Sequence, residues 1–213
     1  MQAIDKITNF EYWITLVMLF LFVIVFFLKA INAQLLKQHF GLLLQVPFSE
    51  LEDNENFGNT NSYKALLFFF FTITFSVYLY KLNGFLNENT ENGFVVFGKF
   101  FLGALAYFVT KRLIEFLFSN LFLIKNQIKI FIDSKWNYLF SLSFFLYIAL
   151  IFHEYAKTKL IYVFYFALLL FLVRFVFILI TNKKLILSKL FYFILYICAF
   201  EIAPLFVLFK LMF

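Results

Sequence analysis

Cysteine is almost missing from this chain: its 213 residues hold one, Cys198, inside an apolar run. A single thiol excludes an internal disulfide and any multi-cysteine metal site. Glycine, at six residues, and proline, at two, are also sparse. No Gly-rich phosphate loop, no Gly-x-Ser-x-Gly elbow and no pair of intramembrane aspartates can be read anywhere in it. Charge is the third shortage, at 14% of residues, where a soluble domain carries about 25%. The formal net charge of +6 is spread out. It lacks the clustered basic and aromatic pattern of a nucleic-acid surface, so no nucleic-acid partner is expected.

What fills the chain is apolar. Hydrophobic residues make up 64% and the mean hydropathy is +0.93. A soluble fold of this size cannot hide so much apolar surface, so the lipid bilayer is the expected surrounding. Phenylalanine alone contributes 38 residues. That abundance fits a codon bias toward A and T, and no single Phe is given functional weight. A cleaved signal peptide is not expected. The stretch Met1–Glu11 contains Asp5, Lys6 and Glu11, and the apolar run that follows is longer than a signal-peptide core.

A helix rises about 1.5 Å per residue, so about 20 apolar residues cross the hydrocarbon layer. Six stretches qualify as spans: 12–28, 65–80, 94–110, 136–152, 160–180 and 185–209. The expected fold is therefore an all-α, polytopic transmembrane helical bundle forming one membrane domain over 1–213. Two further stretches read as amphipathic helices lying in the headgroup plane. In the first, Ile31, Leu35, Leu42, Leu43 and Val46 oppose Gln34, Lys37, Gln38, Gly41 and Gln45, and Pro47 ends it. In the second, Leu121, Ile124, Ile128, Phe131 and Ile132 oppose Lys125, Lys129 and Asp133. Between it and the third span, residues 113–124 are apolar but carry Glu115. They either prolong that span or fold back as a re-entrant half-helix. Ser49 and Glu52 have the spacing of a capping box.

Basic residues of short loops stay on the cytoplasmic side. Alternate loops hold eleven on one side, from Lys29 to Lys189, and five on the other: Lys6, Lys81, Lys157, Lys159 and Lys210. This places both termini in the periplasm and the two amphipathic stretches in the cytoplasm.

Charges inside spans are expensive, and three stand out: Lys99, Arg174 and Glu201. Glu201 lies about 12 Å from the outer end of its span and Lys99 about 7–8 Å from the same side. The two can form an ion pair if the third and sixth spans are neighbours. Arg174, about 9 Å from the inner end, can snorkel to the headgroups. In a chemical reading, Glu201 carries a proton or cation. Pro204 then leaves the Phe200 carbonyl without a donor beside it, as transporters do at cation sites.

His153-Glu154 resembles the start of a His-Glu-x-x-His zinc motif, but Lys157 stands where the second His belongs. The other histidine is His39. The acidic loop Glu50, Glu52, Asp53 and Glu55 does not have the spacing of an EF-hand and reads as a solvated or partner-facing segment. No metal site, catalytic residue or cofactor is expected.

Phe200-Glu201-Ile202-Ala203-Pro204-Leu205 in the last span, together with Tyr12-Trp13 at the start of the first, resembles a family of short, polytopic bacterial inner-membrane proteins grouped as a domain of unknown function. The resemblance implies a Gram-negative cytoplasmic membrane and no assigned activity, with Glu201 and Pro204 carrying the match. The function expected first is a non-catalytic subunit of a larger membrane assembly, in protein export, insertion or secretion. Its partners would be other integral membrane proteins. The alternatives are a small proton- or cation-coupled transporter or channel using Glu201, and an intramembrane lipid-modifying enzyme using His153 and Glu154.

Overall fold

The computed structural model describes residues 12–41, 60–86, 93–121, 125–156 and 158–181. All regular structure among them is helical: α1 (Tyr12–Ile31), α2 (Ala33–Gly41), α3 (Thr60–Leu86), α4 (Phe94–Leu121), α5 (Lys125–Ala156) and α6 (Leu160–Thr181). Five of these, all but α2, are long and apolar enough to cross a membrane. The chain forms an all-α helical bundle of the multi-pass membrane type. The expected sixth span, 185–209, lies outside the described residues.

The helices alternate in direction. Trp13 at the start of α1 meets Tyr80 near the end of α3 and Phe97 near the start of α4, at centroid distances of 5.0 and 5.2 Å. The α3 and α5 helices run parallel, since Phe68 meets Trp136, Phe71 meets Phe140 and Lys81 pairs with Glu154 in rising order. These two form the centre of the bundle. In α3, 67% of the apolar window is buried and in α5 50%, against 33%, 22% and 28% in α1, α4 and α6. The outer helices present large apolar side chains such as Leu16, Phe22 and Phe26 outward, which only a lipid or another helix can accommodate.

Small polar residues let the central helices pack closely. Thr72, Thr74 and Ser76 on α3 are fully buried, and each hydroxyl donates to the carbonyl four residues earlier at 2.7–2.8 Å. On α5, Ser141 donates to the His39 carbonyl of α2 and the Tyr147 hydroxyl to the Met18 carbonyl of α1, the latter at 2.9 Å. Interhelical bonds of this kind contribute about 0.6 kcal/mol on average. Tyr147→Phe, which keeps the ring against Phe70 at 5.5 Å, is expected to lower stability by about that amount. Unfolding of the purified variant in detergent measures it.

One alternative left open by the sequence is decided, and one reading changes. Residues 113–121 continue α4 without a break, so this part is a prolongation of the span and not a half-helix. The second amphipathic stretch is not a separate interfacial helix, since from Lys125 onward it forms the first turns of α5. The physical reason is common to both. A helix does not end where the bilayer ends, and its composition turns polar while its hydrogen bonding continues. At 28 and 32 residues, α4 and α5 are about 42 and 48 Å long, where the hydrocarbon layer needs about 30 Å.

The first amphipathic stretch does form its own helix through Gly41. Asn32 separates it from α1, its Oδ1 accepting the Gln34 and Leu35 amides at 3.0 Å as an N-cap. Its buried residues are Leu36 and His39, with Leu35 and Phe40 half-buried against the core. It packs on α5, where Phe40 meets Phe144 at 4.6 Å.

Candidate functional site

Among the described residues, the densest group of charged side chains lies where α4 leaves the apolar layer and α5 enters it. The apolar windows of these helices are Phe94–Phe116 and Ile132–Ala156. Glu115 therefore stands at the rim of the layer, and Lys135 about 4–5 Å inside it. Both are almost completely buried, at 1% and 2% exposure. The Lys135 ammonium lies 2.5 Å from Glu115 Oε1, and the Trp136 indole N–H donates to Oε2 at 2.6 Å. One carboxylate thus holds two consecutive residues of the facing helix through both its oxygens. Charge-assisted bonds of this length are the stronger kind.

A second layer of charge sits outside it. Arg112, one turn before Glu115, lies over the Trp136 ring at 5.2 Å. Its guanidinium is 3.6 Å from Asp133 Oδ1. Lys111 stands over its own-helix Tyr107 at 5.9 Å. The whole arrangement ties the foot of α4 to the foot of α5 as an antiparallel helical hairpin.

At the opposite ends, Lys81 of α3 pairs with Glu154 of α5 at 2.9 Å. His153 Nδ1 donates to the Thr158 carbonyl at 2.7 Å, closing the turn into α6. The two residues named as acid–base candidates thus each hold a neighbouring segment. Position 157, their motif neighbour, lies outside the described residues.

Of the intramembrane charges, Lys99 is exposed on α4. Arg174 is buried at 9% exposure and belongs to the inward stripe Val163, Ala167, Leu170, Arg174, Ile178 of α6. That stripe turns toward the bundle. Glu201, Pro204 and the acidic loop residues Glu50, Glu52, Asp53 and Glu55 lie outside the described residues.

His39 is a further buried ionisable group, 8% exposed and stacked on Tyr63 of α3 at 6.0 Å. Among the described residues, neither its Nδ1 nor the Tyr63 hydroxyl has a hydrogen-bond partner. Loss of water around the ring, reinforced by the positive charge of Lys64, pushes its pKa down to about 4. It is therefore neutral near pH 7.

Helices of this length and composition define a multi-pass membrane bundle. The chain belongs to the family described as Domain of unknown function (DUF4271), whose model matches residues 14–212. The matched part includes Glu201 and Pro204 and leaves Tyr12 and Trp13 just outside. No curated protein and no solved structure matches the chain.

Proposed function

We propose that this protein is a non-catalytic integral subunit of a larger assembly in a bacterial inner membrane, serving protein export, insertion or secretion. The observation that carries the reading is the α4–α5 hairpin locked by Glu115, Lys135 and Trp136. It projects a helical pair past the apolar windows, through Leu121 and Lys125. By the distribution of basic residues this projection is cytoplasmic. A helical protrusion on a membrane-embedded base suits docking of a neighbouring subunit. The carboxylates that would suggest chemistry, the buried Glu115 and the half-buried Glu154, are engaged with Lys135 and Lys81 across helix interfaces. Both termini are periplasmic in this reading.

The test is native purification of a tagged chromosomal copy in mild detergent, with mass spectrometry of co-eluting proteins. A membrane partner at near-equal abundance, lost on Lys125→Glu with Lys129→Glu at the hairpin tip, is the expected result. A chain that elutes alone or with copies of itself overturns the reading.

A further inference from the structure

The short helix α2 climbs back into the apolar layer instead of lying along its surface. The Tyr147 hydroxyl donates to the Met18 carbonyl of α1, and Tyr147 stands about 22 Å into the α5 window that starts at Ile132. From Met18 the antiparallel α1 descends about 20 Å to Ile31. Its end therefore lies near the rim from which the apolar windows of α3 and α5 start. Asn32 then turns the chain and caps α2. The far end of α2 is well above that rim. Ser141, about 14 Å into the α5 window, donates to the His39 carbonyl. Phe40 meets Phe144, about 18 Å in, at 4.6 Å. Ala33 to Phe40 rises about 10–11 Å as a helix, which accounts for the climb. This carries α2 about half-way across a layer of about 30 Å.

At that depth the faces of α2 are turned the wrong way for lipid. Leu36 and His39 point into the bundle, with Leu35 and Phe40 half-buried against the core. Gln34 and Lys37 are exposed and Gln38 is half-buried, and at helical spacing the three share one face within an arc of about 100°. Hydrocarbon against this face would leave two amide side chains and an ammonium without hydrogen-bond partners. Over the same depth of α1, Phe22 and Phe26 are the side chains turned outward. Apolar-in and polar-out is the pattern of a helix with water on its outer side.

We propose that α2 is a re-entrant half-helix whose Gln34–Lys37–Gln38 face lines a water-filled recess that admits small hydrophilic anions. The recess opens at the rim where α3 starts, cytoplasmic by the distribution of basic residues. Lys37 supplies the charge of this face and the two amides its hydrogen bonds. His39, on the opposite side of α2, stays dry.

The test uses the full chain with Cys198→Ala, reconstituted in liposomes, carrying one new cysteine at a time and treated on both sides. Gln34→Cys and Gln38→Cys are expected to react with a sulfonated, membrane-impermeant thiosulfonate. Phe26→Cys, at the depth of Gln38 but turned to lipid, is expected to react at least about tenfold more slowly, because a thiol in apolar surroundings ionises less. The trimethylammonium reagent is expected to react more slowly than the sulfonate at Gln38→Cys, and Lys37→Gln to abolish that difference. Depth is read independently from spin labels at Gln38→Cys and Phe152→Cys, both outside the core. Their separation along the bundle should be about 10 Å shorter than a helix lying flat at the rim would give. The longer separation overturns the proposal, since α2 would then lie on the surface. The shorter separation with Gln38→Cys as slow as Phe26→Cys overturns the recess. Equal rates for the two reagents overturn its preference for anions.

Discussion

Glu115→Leu is expected to lower the stability of the bundle by about 3–5 kcal/mol, the usual loss when one member of a buried ion pair is removed. The variant leaves the Lys135 ammonium, 2% exposed, without its carboxylate, and the Trp136 indole without its acceptor. Lys135→Met should cost less, because the carboxylate keeps the Trp136 N–H at 2.6 Å. The double variant Glu115→Leu/Lys135→Met should recover most of the loss, since a buried ion pair can be replaced by apolar residues at little net cost. A deficit of about 1–3 kcal/mol should remain from the unsatisfied indole N–H. Equilibrium unfolding by steric trapping in bicelles reads all three values. Additive single losses in the double variant would mean that the two charges do not stabilise each other, and the tie would then not be what holds the hairpin.

Much of the bundle is legible in the sequence, and the reason is the bilayer. Runs such as Tyr12–Leu28 and Leu160–Ile180 admit only helices, because no water is present to satisfy open backbone groups. The ends of the spans are far less legible. Hydropathy records where the apolar layer stops, and α5 continues for two turns before its layer begins. The amphipathic pattern of 121–132 was therefore open to reading as an interfacial helix, although from Lys125 onward it belongs to α5. Glu115 illustrates a different limit. Its partner is 20 residues away along the chain, on the next helix, and Lys135 looks in the sequence like any basic residue flanking a span. A signal was nonetheless present. An acidic residue at the end of an apolar run, facing a Lys-Trp pair at the start of the next, can be satisfied by both if the helices form a hairpin.

His39 shows the same limit in a residue that the sequence leaves bland, and it leads to a test in acid. With its pKa at about 4 in the folded chain and an ordinary value of 6.5, the unfolded state binds more protons in the interval between them. Stability therefore falls as pH drops from about 6.5 and reaches its full loss near pH 4, a total of about 3 kcal/mol at 1.36 kcal/mol per unit. Below pH 4 both states carry the charge and this contribution changes no further. The slope of the native chain alone does not isolate the histidine from other acidic groups. His39→Leu does. The substitution keeps an apolar group against Tyr63 and leaves the backbone carbonyl that accepts the Ser141 hydroxyl. It should flatten the profile between pH 6.5 and 4. An unchanged profile would mean that His39 reaches water in the folded protein, and that α2 is not held against α3 and α5 as tightly as its burial requires.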